Sequence, residues 1–153
     1  MVFVISNDAR RYYTKLNESK HGKFRTMFDF YYLCLIAGMI NNKRSTAKGS
    51  EFIDQFTKDF IPRREEIIGL LISTEIERNN IDLNNRSRIE RLMLALVQPD
   101  SASRLSSDGE NLMNQYAENG FYKILEEIPE PPINLDTFLI TYYEKIVKPY
   151  SCD

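Results

Sequence analysis

The sequence predicts an all-α fold, a compact bundle of about six to seven helices. The chain forms one domain spanning 1–153, with the N-terminal apolar run as a short strand or extended arm. Three observations carry this. Apolar residues recur at three- and four-residue spacing through most of the chain, the signature of helices with one buried face. Cap-forming Ser, Thr and Asn stand just before several of those runs. The length of 153 residues and the 42% hydrophobic and 27% charged content fit one globular domain able to bury a core of its own.

The elements follow in order. Val2 to Ile5 is wholly apolar and too short for a helix. Ser6 is placed to cap a helix from about Asn7 to Asn17, with Tyr12, Tyr13 and Leu16 as its stripe. The polar stretch around Lys20, His21, Gly22 and Lys23 reads as a turn. Thr26 then caps a helix from Met27 to Ile40 that is apolar on nearly every side and therefore central. Within it, Gly38 either permits close packing or begins termination. Asn41 to Ser50 is a polar, basic loop. Phe52, Phe56 and Phe60 recur every four residues and predict a short helix over 51–60.

Pro62 suits the first turn of the next helix, and Glu65 and Glu66 complement its dipole. Ile67 to Ile76 is strongly apolar and is expected to share the centre with Met27–Ile40. Asn79, Asn80, Asn84 and Asn85 make a turn. Asn85 caps a helix over Arg86 to Gln98, with Ile89, Leu92, Met93 and Leu96 as its core stripe. Pro99 to Gly109 is a second loop. Glu110 to Ile128 is helical in pattern, with a break or bend expected at Asn119–Gly120. Pro129, Pro131 and Pro132 make a stiff connector. Leu135 to Val147 closes the fold, and Pro149 stops it.

Composition argues against several functions. The net charge of −2 lacks the basic excess of a dedicated nucleic-acid binder. Two cysteines, Cys34 in an apolar run and Cys152 one residue from the C-terminus, make neither a disulfide framework nor a zinc pattern. They fit a reducing, cytoplasmic setting. The N-terminal apolar run is too short for a signal peptide, and no stretch reaches membrane-spanning length. The one histidine, His21, has no evident nucleophile or acid partner. No phosphate-cradling loop is present: Gly38, Lys48 and Gly49 stand in the wrong order. No cofactor or metal site is predicted. Asp8 followed by Glu18-Ser19-Lys20 is a remote match to a metal-dependent nuclease pattern, in a helical context where strands are needed.

Two surface features remain. Lys43, Arg44 and Lys48 share a loop, Arg63 and Arg64 open a helix, and Arg86, Arg88 and Arg91 lie in another. Together they are a candidate nucleic-acid or partner patch. The plainer reading is a solvated surface with acidic partners, such as Arg86 with Glu90 at i,i+4. Nine Tyr and nine Phe exceed what one helical stripe can bury. Tyr116, Phe121, Tyr122, Tyr142 and Tyr143 are therefore candidate interface aromatics, for a partner or for homo-oligomerisation.

Gly22-Lys23-Phe24-Arg25-Thr26-Met27-Phe28-Asp29-Phe30 leads into an apolar helix ending Ala37-Gly38. A later run reads Gln115-Tyr116-Ala117-Glu118-Asn119-Gly120-Phe121-Tyr122-Lys123-Ile124-Leu125. Together these segments resemble the small Dnd-system-associated protein 4 family, encoded beside bacterial DNA-phosphorothioation and restriction genes. The resemblance covers the chain from about Gly22 to the last helix. It implies a setting in bacterial defence against foreign DNA and an accessory role. It also implies a turn at Gly120 in which glycine takes a positive φ. The expectation is a non-enzymatic accessory subunit acting by protein–protein contacts, with a DNA-binding or regulatory module as the alternative.

Overall fold

Phe3 to Ile5 form strand β1, and Ser6 ends it by turning the chain into helix α1, Asn7–Leu16. The Ser6 hydroxyl accepts from the Ala9 N–H at 3.2 Å, satisfying one of the donors a helix start leaves free. The computed structural model describes residues 3–18 and 22–151. Val2, Lys20, His21 and Cys152, which entered the sequence reading, lie outside the described residues.

Helix α2 runs Met27–Asn41, and its first turn is closed by Asp29, whose carboxylate accepts from the Thr26 N–H at 2.8 Å. Asn42 ends it in the left-handed region at φ 51°, a conformation asparagine tolerates. Strand β2, Ser50–Ile53, pairs antiparallel with β1. A single helical turn at Ile61–Arg63 then leads into α3, Arg64–Arg78. Helix α4 is Arg86–Leu96, α5 is Ser107–Glu127 and α6 is Leu135–Tyr142. The last continues through a wide π turn over Tyr143–Val147 and a tight one over Lys148–Tyr150. Among the described residues the architecture is an all-α compact bundle of six helices with a short two-strand arm at the N-terminus.

The segment 51–60 differs from the predicted helix. Phe52 lies in β2, because the β1 backbone offers that segment a ladder partner. The four-residue phenylalanine spacing still has a physical consequence. Phe52, Phe56 and Phe60 all pack on Phe28, with ring centres 6.4, 5.5 and 4.9 Å away. They reach it from a strand, an irregular stretch and a turn rather than from one helix face.

The centre also differs from the expected pair of apolar helices. Helix α2 is central, but its partner is α5. Helix α3 buries Ile67, Ile68, Leu71, Ile72 and Glu75 along one side and leaves Leu70 46% exposed. Helix α5, more polar in sequence, buries eleven residues including Tyr116, Gly120 and Phe121. The reason is glycine. A Cβ at Gly38 would lie 2.7 Å from the Tyr116 carbonyl carbon, and one at Gly120 would lie 2.7 Å from the Gly38 backbone nitrogen. Backbone meets backbone where α2 and α5 cross, so hydropathy alone understates how deeply α5 sits. The expected break at Asn119–Gly120 is accordingly absent. Gly120 lies inside a continuous helix and carries no positive φ.

The core is one aromatic-rich cluster joining the arm, α1, α2, α5 and α6. Phe3 meets Phe28 at 5.5 Å, and Tyr12 stacks on Phe30 at 5.7 Å. Buried tyrosines keep their hydroxyls satisfied, as burial demands. Tyr12 donates to the Ile128 carbonyl at 2.8 Å, and Tyr142 donates to the Leu33 carbonyl at 2.6 Å.

Candidate interaction surface

Helix α4 is held at one end. Asn85 caps it, accepting from the Arg88 N–H at 3.3 Å. Asp82 accepts from the Asn84 N–H at 2.8 Å and shapes the turn from α3. At its C-terminal end, Val97 bridges to Leu105, the Leu96 carbonyl accepts from the Ser106 N–H at 2.9 Å, and the Ser106 hydroxyl donates to the Ala95 carbonyl at 2.6 Å. These bonds fasten the end of α4 to the start of α5.

Burial along α4 follows from that anchorage. Of its predicted core stripe, only Leu96 is buried. Ile89 and Leu92 are half-buried and Met93 is 45% exposed. Leu94 on the outer side is 78% exposed, and Leu83 in the preceding turn is 76% exposed. Apolar side chains at that exposure gain nothing from the fold itself. Between the end of α3 and α4 lies an open groove of about 320 Å³ lined by Asn79, Ile81, Arg88, Arg91 and Leu92.

The eight basic candidates do not converge on one face. Arg63 and Arg64 stand at the start of α3, about 16 Å along the helix from Glu75 at 1.5 Å per residue. Arg44 is drawn inward, its guanidinium 3.7 Å from the buried Glu75 carboxylate. Lys43 is exposed just beyond α2. Lys48 lies near α5, where its charge acts on Glu118. Arg88 and Arg91 share the groove, whereas Arg86, two residues before Arg88, faces another way. Among the described residues no carboxylate forms an ion pair with Arg86, Arg88 or Arg91, so the predicted Arg86–Glu90 pair is not formed.

The aromatic candidates divide as well. Tyr116, Phe121 and Tyr142 are buried at 0, 2 and 5% exposure and belong to the core. These three differ from the expected interface positions because several elements, not one stripe, supply the aromatic cluster. Tyr122 and Tyr143 are 39 and 50% exposed and remain at the surface.

Two buried polar arrangements were not legible in the sequence. The Tyr116 hydroxyl donates to Glu75, which Arg44 also approaches. Burial, and then the Glu75 carboxylate, push the Tyr116 phenol well above its ordinary value. Asn114 accepts from the Val4 N–H at 3.1 Å and from the Tyr31 hydroxyl at 2.7 Å. On the neighbouring turn, burial raises the Glu118 carboxyl above its ordinary value, and Glu118 holds the Tyr122 phenol up at about 12. A helical phase with the polar residue on the apolar side was the only available signal, and α5 shows it.

Among the described residues, no group of three His, Cys, Asp or Glu side chains lies close enough to hold a metal ion. Asp8 is exposed and pairs with Arg11, and Glu18 is exposed; Ser19 and Lys20 of the nuclease-like pattern lie outside the described residues. No helix among them is long and apolar enough to cross a membrane. The chain matches no family model, no curated protein and no solved structure.

Proposed function

We propose that the protein is a non-enzymatic accessory subunit that works through protein–protein contacts, with α4 and the turn before it as the contact surface. The observation that supports this reading is α4 itself. It carries a helical apolar stripe, yet Met93 and Leu94 are 45 and 78% exposed and only Leu96 is buried. An amphipathic helix left open in this way is a docking element of the helix-in-groove type. The proposed setting is the cytoplasm of a bacterium, beside a DNA-modification-linked defence system. That part rests on the resemblance of the runs 22–30 and 115–125.

Co-purification of the full chain, tagged and expressed from its own locus at native level, tests the reading. A stoichiometric protein partner is the expected result. Recovery as a free monomer across growth conditions would refute it.

The alternative, a DNA-binding module, draws on Arg88 and Arg91, which lie together without an acidic partner. Two phosphate contacts predict a salt slope of about −2 in a log–log plot. A duplex that binds with that slope would favour the alternative, and no duplex binding at low salt would exclude it.

A further inference from the structure

We infer that the groove between α3 and α4 takes an acidic amphipathic helix of a protein partner, a conclusion that rests on the contact function proposed above. The groove is lined by the apolar side chains of Ile81 and Leu92, by Asn79, and by Arg88 and Arg91. The two arginines are three apart and sit on one side of α4, with Leu92 four residues after Arg88. The groove therefore sets two cations beside hydrocarbon.

Charge complementarity selects the occupant. Among the described residues no carboxylate pairs with either guanidinium, whereas Arg44 on the neighbouring loop is drawn onto Glu75. The cations at the groove are thus available to an incoming acid. A phosphate backbone would satisfy them but would leave the half-buried Ile81 and Leu92 uncovered. A purely apolar helix would cover Ile81 and Leu92 and leave both guanidiniums facing hydrocarbon, at a desolvation cost. A helix with leucines at i, i+3 and i+4 and glutamates on their flanks satisfies both. Arginine adds direction, because its planar fork donates two parallel hydrogen bonds to a carboxylate.

The test uses the purified full chain and two labelled 18-residue helical peptides. Both carry leucine at i, i+3, i+4 and i+7; one has glutamate at the remaining positions and the other lysine. Fluorescence anisotropy should show the acidic peptide binding at least about tenfold more tightly than its basic twin. The doubly substituted Arg88→Glu, Arg91→Glu chain should lose at least about tenfold of that affinity with an unchanged thermal midpoint. Arg86→Glu, on another side of α4, should stay within about twofold.

Equal binding of the two peptides would overturn the inference, as would an equal loss in Arg86→Glu. A 20-base-pair duplex that displaces the acidic peptide and depends on Arg88 and Arg91 would reassign the groove to nucleic acid. Self-association abolished by the double substitution would reassign it to a second copy of this chain. A partner that co-purifies equally with the double variant refutes this groove alone and leaves the contact function standing. Absence of any native partner refutes that function even if the peptide binds.

Discussion

Replacing Gly120 by alanine probes the contact on which the fold turns. The new methyl group would lie 2.6 Å from the Cys34 carbonyl carbon and 2.7 Å from the Gly38 nitrogen, with the Cys34 carbonyl oxygen nearer still. Real Cβ contacts essentially never fall below 3.0 Å. All three atoms are backbone, so no side chain can swing aside. Helices α2 and α5 must move apart by more than about 1 Å, and even a gap of about 1 Å forfeits up to about half of each dispersion contact along the seam. Overpacking a well-filled core costs about 1–3 kcal/mol, and a rigid backbone obstacle puts Gly120→Ala at or above the upper end. Alanine's better helix propensity returns only about 1 kcal/mol.

Gly69 supplies the control, since it is helical in α3 and a Cβ there meets nothing within 4 Å. Urea unfolding followed by circular dichroism should show Gly69→Ala more stable by up to about 1 kcal/mol and Gly120→Ala less stable by about 3 kcal/mol. Equal or increased stability in Gly120→Ala would refute the backbone-to-backbone crossing.

Three further outcomes follow from buried polar groups and caps. Asn114→Ala leaves the Val4 N–H and Tyr31 hydroxyl without their acceptor, a loss of roughly 1–3 kcal/mol for each donor; a total loss below about 1 kcal/mol in urea unfolding would contradict it. Ser6→Ala removes the α1 cap and should cost about 1 kcal/mol, read in the same assay; an unchanged midpoint would contradict it. Glu118 has its carboxyl raised by burial, against opposing effects of Tyr122 and Lys48, so the unfolded chain ionises first as pH rises. Stability should therefore fall between the ordinary value of 4.5 and the raised folded value, then level off. Unfolding measured from pH 4 upward should show Glu118→Gln gaining on the parent across that window, and parallel curves would exclude the effect.

Much of the fold was legible because local chemistry specified it. Ser6, Thr26 and Asn85 each stand at the helix start that the sequence assigns. Three features were not legible, each because tertiary structure decides them. Segment 50–53 becomes a strand only because β1 is there to pair with it. Gly120 reads locally as a break, yet its role is to face Gly38 across a helix crossing. Tyr116 and Tyr142 read as surplus aromatics, yet Glu75 and the Leu33 carbonyl satisfy their hydroxyls inside the core. The proposed contact surface shows the same division. The α4 stripe is evident from spacing, but its exposure depends on α4 being fastened to α5 only near Leu96.

Hydrogen exchange across residues 83–95, compared between the free chain and its native complex, bears most directly on the proposed role of α4. An open helix fastened at one end exchanges readily when free. The account predicts marked slowing of these amides in the complex, with little change in α2, where Phe30, Leu35 and Ala37 are already fully buried. A complex in which 83–95 exchanges as fast as in the free chain, while another surface is protected, would contradict it.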